Sequence, residues 1–402
     1  MAINRREFLQ RGLAGATLLA TAPTLPGFLT RTALAATRER RQRCLVVVQL
    51  TGGNDGLNTV IPYADDRYHR ARPTLRVGEN EVLRLSDTLG LHPDLAGFRT
   101  LFDDGLLGIV NNVGYPNPDR SHFRAMDIWH TADPALKATD DGWLGRVAER
   151  ISAGDAPPVL HLDDDALPLA LRSRTLATPS VADVGAFKLQ AAAEQIAPAI
   201  AAPRNSASDE LLFVQRVAVA SCATARRIEA AGALAGAQAA YPDYGLARRL
   251  RQIAQLIAGD FGPRVYYTSL DGFDTHARQR LAHGPLLREL GDSVAAFYAD
   301  LRARGMADGV LLMTFSEFGR RVAENASQGT DHGAAAPLFL VGPGCRSGLL
   351  GAAPDLAALD DGDVRFQTDF RSVYAAILSQ WLQIPAESVL GAGIAAAPVL
   401  RA

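Results

Sequence analysis

The sequence predicts an α/β fold with a mostly parallel central sheet and helices on both faces. Two observations support this prediction: short, continuously apolar segments recur along the chain, and segments with helical spacing of apolar residues separate them. Strands that are apolar at every position are typical of sheets covered on both faces, and alternation with helices favours parallel pairing. The chain has 402 residues, 48% of them apolar and 21% charged, which is enough for one large domain of this class.

Six segments are predicted as strands. The first, Cys44–Leu50, is rich in β-branched residues and ends at the glycine-rich turn "TGGNDG". The other five have the same short apolar character and begin near Leu106, Val159, Arg264, Asp308 and Ala336.

The segments between these strands repeat apolar residues at three- and four-residue intervals and are predicted as helices. They are Leu91–Phe102, Ser208–Ala233, Tyr244–Asp260, Leu286–Arg304 and Asp369–Leu382. The middle of the chain is less regular and is rich in Ala and Pro. We interpret the region near 177–240 as an inserted helical or loop segment, not as a separate domain.

The first 35 residues predict a twin-arginine export signal. Arg5 and Arg6 precede a weakly apolar stretch, and small residues at 33 and 35 suit cleavage after Ala35. The alternative is an amphipathic or membrane helix, but Thr, Gly and Pro interrupt the stretch before it could span a bilayer. The mature chain, residues 36–402, is therefore predicted to be a single periplasmic domain. It would pass through the twin-arginine export machinery and have no permanent membrane span.

Charge and cysteine content exclude several classes of protein. A net charge of −2 provides no broad field that would attract nucleic acid, so no nucleic-acid partner is predicted. The three cysteines, Cys44, Cys222 and Cys345, share no short spacing, which argues against a thiolate metal site. We predict that they are small core residues.

Carboxylates and imidazoles stand beside most of the predicted strands. Ligands of open α/β sheets collect at the carboxyl ends of the strands, so we expect these side chains to share one edge. The residues are Asp55, Asp274, His276, Glu317, Asp331 and His332, together with Arg120 and Ser121. Donors of this type suit zinc, manganese, calcium or magnesium, and their number would suit two ions, or one ion plus substrate oxygens.

Each of these residues also has an ordinary structural interpretation. An Asp after a strand is often a turn residue or a helix cap, and Ser121 in "DRSHF" suits the start of a helix. His122 and His130 are interpreted as packing or hydrogen-bonding residues and not as ligands.

Several of the same segments resemble a known family. The segments "VVVQLTGGNDGLNTVIPY", "NPDRSHFRAMDIWHT", "GFDTHARQ", "TFSEFGRRVAEN" and "GTDHGAAAPLFLVG" resemble the signature blocks of the domain-of-unknown-function 1501 family. Its members commonly carry twin-arginine signals, and its fold is thought to belong with alkaline phosphatases and sulfatases. The blocks run from about Cys44 to Trp381, so the resemblance implies an alkaline phosphatase-like fold for nearly the whole mature chain.

The resemblance also implies roles for individual residues. Asp55 falls where the superfamily has its first-strand metal ligand, and Ser121 falls where it has its nucleophile. Asp274 and His276 resemble the later pair that holds the first metal. Glu317 stands in "SEFG" where "SDHG" is usual, and the last metal-binding histidine corresponds to His332 in the segment that begins at Asp331.

Three departures from the superfamily pattern stand out. The residues of the "DTH" pair are two apart where phosphatases place them four apart, and "SEFG" loses an imidazole. Pro116 occupies the position that a sulfatase needs for formylglycine, which argues against ordinary sulfatase chemistry.

Together these features predict an exported, metal-dependent hydrolase of a phosphate ester or related anionic ester. A divalent metal, with zinc favoured, would activate Ser121 for attack, and Arg120 would clamp the anion. The partners would be a small anionic substrate or an envelope polymer. The alternative is a non-catalytic exported protein, stabilised by its metal, that binds polysaccharide or another envelope protein. The altered "SEFG" and the short "DTH" spacing favour that alternative.

Overall fold

The computed structural model describes residues 43–135, 140–151, 156–184 and 236–401, and the structural statements below refer to these ranges. The predicted export signal lies outside them, as do the predicted helix Ser208–Ala233, Cys222 and most of the predicted insertion. No helix in the described ranges has both the length and the apolar character needed to cross a membrane.

A nine-stranded sheet forms the centre of the described structure, and three further strands form a small antiparallel sheet. In chain order the strands are β1 Cys44–Leu50, β2 Val60–Ile61, β3 Leu83–Arg84, β4 Gly90–Leu91, β5 Leu107–Gly114, β6 Val159–Leu162, β7 Ser180–Val181, β8 Val265–Leu270, β9 Val310–Ser316, β10 Ala336–Val341, β11 Gly348–Leu350 and β12 Thr368–Asp369. The central sheet has the order β11-β5-β10-β9-β1-β8-β6-β7, with β12 also paired to β5. The small sheet has the order β2-β4-β3.

The prediction of a mostly parallel sheet is confirmed. Strand β1 pairs in parallel with both β8 and β9, so that Val47 lies between Tyr267 and Met313. Strand β10 is the exception, because it runs antiparallel to both β9 and β5. All six predicted strands are present, and the largest difference in a start is Asp308 predicted against Val310 observed.

Helices cover both faces of the sheet, as predicted. They are α1 Asp66–Ala71, α2 Ala96–Asp103, α3 His122–Thr131, α4 Trp143–Ile151, α5 Gly245–Ala258, α6 Gln279–Ala303, α7 Phe370–Ala376 and α8 Glu387–Leu390. Helices α2, α5 and α6 pack into the apolar layer that contains Val46 and Val48. Helices α3, α4 and α7 pack into the layer that contains Leu45 and Val47. Alternate residues of β1 are thus buried on opposite faces, which explains its uninterrupted apolar sequence.

Two helix boundaries differ from the prediction for identifiable reasons. Helix α2 begins at Ala96 and not at Leu91, because Leu91 pairs within the small sheet as part of β4. Helix α6 begins at Gln279 and not at Leu286, and its first backbone N–H donates to the carbonyl of Gln328 at 2.9 Å. The earlier start matters because it brings Gln279 next to the ends of the strands.

Cys44 and Cys345 are buried in the core. Burial raises the pKa of Cys44 to about 12 and that of Cys345 to about 11, so both remain protonated at neutral pH. The prediction that the cysteines are core residues is confirmed for these two.

Candidate metal centre

The strand directions bring three loops to one edge of the sheet. Because β1, β8 and β9 are parallel, the residues that follow them lie at the same edge. Strand β10 is antiparallel to β9, so the residues that precede it also lie there. The segments Asp274–His276, Glu317–Arg320 and Asp331–His332 therefore meet, and the start of α3 joins them.

Three histidine side chains converge on one carboxylate oxygen at this edge. Asp274 Oδ1 lies 3.3 Å from His122 Nε2, 3.0 Å from His276 Nε2 and 3.3 Å from His332 Nε2. The Nε2 atoms of His276 and His332 are 2.8 Å apart. We call His122, Asp274, His276 and His332 the metal centre.

An acceptor orients each imidazole through its other nitrogen. His122 Nδ1 lies 2.8 Å from Glu317 Oε1, and His332 Nδ1 lies 2.8 Å from the carbonyl oxygen of Arg120. His276 Nδ1 lies 3.3 Å from Asp331 Oδ1. Carboxylates and carbonyls only accept, so each Nδ1 is placed to donate its proton to its outer partner, and a neutral imidazole of that tautomer would present its Nε2 lone pair to a bound cation. This arrangement is typical of histidines that ligate metals.

The residues fit a divalent cation. The buried His122 Nε2 makes no hydrogen bond, although Asp274 Oδ1 is 3.3 Å away. The ligand atoms of His122, Asp274 and His332 all lie within 4.8 Å of one another. In a tetrahedral zinc site with bonds of about 2.0–2.1 Å, neighbouring ligand atoms are about 3.3 Å apart. Asp274 Oδ1 lies at this separation, 3.3 Å, from the Nε2 atoms of His122 and of His332.

The surroundings keep the carboxylate ionised. Burial opposes ionisation of Asp274, but hydrogen bonds from Arg320 and His332 outweigh it and lower the pKa of the Asp274 carboxyl to about 2. The hydrogen bond to Glu317 raises the pKa of His122, whereas burial lowers the pKa of His332. A hydrogen bond from Asn325 lowers the pKa of Asp331.

Arg320 holds the loops of the metal centre together. Its guanidinium donates to the carbonyl oxygens of Gly53 and Thr330, at 2.7 and 2.8 Å, and to Asp274 Oδ1 at 2.7 Å. The side chain is fully buried. No sequence pattern distinguishes Arg320, because an arginine after a strand is common.

Asp55 is not part of the convergence. Its carboxylate is fully buried and forms a bidentate ion pair with Arg72, at 2.5 and 2.9 Å. Gln279 Nε2 also donates to it. Burial opposes ionisation, but Arg72 outweighs that effect and lowers the pKa of Asp55. Because proton donors already occupy both oxygens, we leave Asp55 out of the metal centre.

Glu317 lies at the metal centre but is committed to hydrogen bonds. Besides His122, it accepts from the backbone N–H of Gly52 and from the Ser316 hydroxyl, both at 2.9 Å. The side chain is fully buried. Glu317 is therefore placed to orient His122, as Asp331 is placed to orient His276.

The two predicted catalytic residues occupy different settings. Ser121 is exposed at the N-terminus of α3 and makes no side-chain capping bond there. The Arg120 guanidinium is bound to Asp363, at 2.6 Å, and to Asp361, at 3.0 Å. Only the carbonyl of Arg120 touches the metal centre.

His122, interpreted from the sequence as a packing or hydrogen-bonding residue, does bond to Glu317, and its Nε2 also faces Asp274 within the metal centre. The first turn of α3 directs it there, and that turn lies outside any strand end. His130 does have the interpreted role, because its Nε2 bonds to Gln49 Oε1 at 2.8 Å in the core.

Comparison with known proteins identifies the family. The model of the family described as "Protein of unknown function (DUF1501)" matches residues 108–381. The chain belongs to this family. The predicted membership is thereby confirmed, and the match includes all four residues of the metal centre, while Asp55 precedes it. A search of curated proteins finds none that matches.

Solved structures that resemble this DUF1501 chain have low sequence identity to it. The zinc complex of the C-terminal periplasmic domain of EcEptC from Escherichia coli has 11% identity and a TM-score of 0.38, over 76% of this chain and 74% of that chain. The PsFucS1 sulfatase from Pseudoalteromonas sp. has 11% identity and a TM-score of 0.41, over 89% and 72%. A protein in the alkaline phosphatase superfamily from Vibrio parahaemolyticus has 8% identity and a TM-score of 0.37, over 78% and 63%. Similarity at this level does not support any inference about chemistry.

Proposed function

We propose that this protein is an exported, metal-dependent hydrolase of a phosphate ester or a related anionic ester. The observation that carries the proposal is the convergence of three imidazole nitrogens on Asp274 Oδ1, with an acceptor orienting each imidazole. Ligand sets with such outer partners are typical of metal sites in enzymes. Fold resemblance alone would not distinguish an enzyme from a binding protein.

In this proposal His122, Asp274 and His332 hold the ion. Three protein ligands leave a position open, as in catalytic zinc sites, and imidazole with carboxylate favours zinc over calcium or magnesium. A divalent ion bound there would supply Lewis-acid activation of an ester and of an attacking hydroxyl. A second ion at Asp274 and His276 would compete for the same carboxylate oxygen, so the proposal uses one ion.

His276 is the proposed proton carrier. Its Nε2 faces the metal centre, and Asp331 at its Nδ1 would stabilise the imidazolium that forms when it accepts a proton. The side chain is 43% exposed, which allows proton exchange with solvent. His276, paired with Asp331, can therefore accept a proton from a nucleophile and return it to a leaving alcohol.

Ser121 is the proposed nucleophile. In the sequence it stands between Arg120, whose carbonyl orients His332, and His122, a proposed ligand. Attack by Ser121 Oγ would form a phosphoserine as the ester alcohol leaves, with the serine proton passing through His276 to that alcohol. Water would then hydrolyse the phosphoserine. The N-terminus of α3 would favour the negative charge. Arg120 has no role in binding the anion in this proposal, because Asp361 and Asp363 already hold its guanidinium.

The substrate would be a small anionic ester or an envelope polymer that carries such esters. The metal centre is open to solvent, with Asp274 49% exposed, and a cation there would provide the local attraction for an anion. The twin-arginine motif supports export to the periplasm as a folded protein with its metal.

Metal analysis and turnover test the proposal together. The folded, unstripped protein should contain about one equivalent of a divalent metal, with zinc expected. Turnover of p-nitrophenyl phosphate or its diester should fall by at least about 100-fold with a chelator and return with zinc.

His122→Ala and His332→Ala should lose the metal. Ser121→Ala should keep the metal and lose turnover. His69→Ala is the matched control, because the His69 imidazole bonds to the Tyr63 carbonyl and packs against the Tyr68 ring, and neither of these residues belongs to the metal centre.

The outcomes separate the two candidate functions. A protein that binds one metal through His122 and His332 but hydrolyses neither ester would support the non-catalytic, metal-stabilised alternative. Turnover that survives both chelation and Ser121→Ala would contradict the serine and metal mechanism. Loss of turnover in His69→Ala would show that the assay reports stability and not chemistry.

A further inference from the structure

A buried glutamine connects the two loops that carry most of the metal centre. Gln279 Oε1 accepts from Thr275 Oγ1 at 3.1 Å and from Thr330 Oγ1 at 2.6 Å. Thr275 lies between Asp274 and His276, and Thr330 directly precedes Asp331 and His332 in the chain. One acceptor atom therefore fixes the spacing of two loops whose side chains must meet within about 3 Å.

The orientation of this glutamine is determined by its other contact. Gln279 Nε2 donates to Asp55 Oδ2, and Asp55 is held by the bidentate pair with Arg72. A carboxylate only accepts, so the amide nitrogen must face Asp55 and the amide oxygen must face the threonines. Gln279, Asp55 and Arg72 are each completely buried, which leaves the amide no competing water.

We infer that Gln279 is a positioning residue of the metal centre, fixed by the Asp55–Arg72 pair and acting through Thr275 and Thr330. The inference rests on the proposed metal site and goes beyond it, because none of these five side chains is a proposed ligand. Only an amide of this length supplies a donor and an acceptor together. Glutamate would lack the donor and would repel Asp55, and asparagine would be shorter by one methylene.

The inference also accounts for the position of Asp55. A carboxylate after the first strand is expected to be a ligand. Asp55 is instead buried in an ion pair with Arg72. The Arg72 guanidinium also donates to the carbonyl oxygens of Arg321 and Val322, at 2.9 and 3.0 Å, on the segment between β9 and β10. The buried pair thus supports that segment and the glutamine at once.

Zinc affinity is the property that tests the inference. The double variant Thr275→Val/Thr330→Val removes both hydroxyls with little change of volume and leaves the Gln279–Asp55 bond intact, so the fold should persist. We expect its zinc Kd, from competition with a chromophoric chelator, to rise by about 10–100-fold. The visible spectrum of bound cobalt should broaden or weaken as the ligand geometry loosens. Thr275→Ser/Thr330→Ser keeps both hydroxyls and should bind zinc within about twofold of the wild type.

A third buried threonine provides a control for stability. Thr314 lies in β9, and its Oγ1 accepts from the backbone N–H of Phe339. Thr314→Val should cost stability without changing the zinc Kd or the cobalt spectrum. Gln279→Met, which removes the shared acceptor, should weaken zinc binding at least as much as the double valine variant.

The results distinguish this inference from the proposed function. Tight zinc binding by the wild type and equally tight binding by the double valine variant would overturn the positioning role and leave the metal site standing. Failure of the serine variant to restore affinity would also overturn it. Absence of zinc binding by the wild type would overturn both proposals.

Discussion

Two aspartates at the same edge of the sheet, Asp55 after β1 and Asp274 after β8, have opposite surroundings. Asp55 is fully buried, and Arg72 and Gln279 donate to its oxygens. Asp274 is 49% exposed, and its Oδ1 accepts from Arg320 and also faces three imidazole nitrogens. Donors occupy both oxygens of the first carboxylate within the core, whereas the second is half exposed and has imidazole neighbours besides its arginine.

The difference shows what makes a strand-end carboxylate a candidate ligand. Position at the edge of the sheet is common to both residues and does not decide the matter. The decisive feature is whether imidazole nitrogens face the carboxylate and whether solvent reaches it. Arg72 and Gln279 occupy both oxygens of the buried Asp55, whereas Asp274 is half exposed beside three histidines and is the proposed metal ligand.

Removing Asp55 should produce the largest effect on stability. Asp55→Ala leaves Arg72 buried without a partner, and we expect the free energy of unfolding to fall by about 3–5 kcal/mol in chemical denaturation. Arg72→Met together with Asp55→Ala should cost less than the two single changes added. Asp103→Ala, which removes an exposed pair with Arg99, should cost only about 0.5 kcal/mol. A loss below about 1 kcal/mol for Asp55→Ala would contradict this account.

Removing Asp274 should affect metal binding more than folding. Asp274→Ala should lower zinc affinity by more than about 100-fold, since it deletes the atom that the three imidazoles share. The free energy of unfolding in the presence of a chelator should fall less than in Asp55→Ala, because the Asp274 carboxylate is half exposed and Arg320 keeps its bonds to backbone carbonyls. Undiminished zinc affinity in this variant would show that the two aspartates do not differ as described.

Two buried histidines extend the comparison to pH. Burial lowers the pKa of His130 and of His283 to about 3, so both are neutral in the folded protein. The unfolded chain binds their protons near pH 6.5, so their contribution to stability is complete above that pH and declines as the pH falls. Between pH 7 and pH 5, protonation of each of these histidines in the unfolded chain should lower the free energy of unfolding by about 2 kcal/mol.

Replacing one of these histidines isolates its contribution to the pH dependence of stability. His130→Gln keeps a donor for Gln49 but no longer titrates. The gap in stability between wild type and variant should narrow by about 2 kcal/mol from pH 7 to pH 5. Parallel stability curves over this range would contradict the assignment of a neutral His130 in the fold.

Changing the acceptor behind His122 should have the smallest of these effects. Glu317→Gln keeps an oxygen for the Nδ1 proton and for Gly52 but removes the negative charge. The zinc Kd should rise by about 10-fold, because the imidazole becomes a weaker donor. A change as large as that of Asp274→Ala would indicate that Glu317 is itself a ligand.

The parts of the fold that follow from local chemistry could be predicted from the sequence. Strand β1 is apolar at every position because both of its faces are covered, and its predicted limits, Cys44 and Leu50, match the structure. The edge at which polar residues collect also follows from parallel pairing. Segments around Asp274 and His332 could therefore be expected to meet.

Other parts of the metal centre depend on contacts that no local pattern encodes. Arg72 lies 17 residues from Asp55 with no motif between them, so the sequence could not distinguish a buried ion pair from a ligand. His122 projects into the metal centre from the first turn of a helix, where a histidine is more often a surface or packing residue. Its role depends on Glu317, which is 195 residues away.

The sequence by itself determined the α/β class, the strands and the set of residues at the ends of the strands. Hydrophobic periodicity and turn chemistry are local properties, which is why they are visible in the chain. The tertiary structure decided which of those residues converge with the histidines and which are held in a buried ion pair. That choice depends on the antiparallel direction of β10, on the side to which α3 directs His122 and on the burial of Arg72. Distances between side chains remote in sequence are set only when the chain has folded.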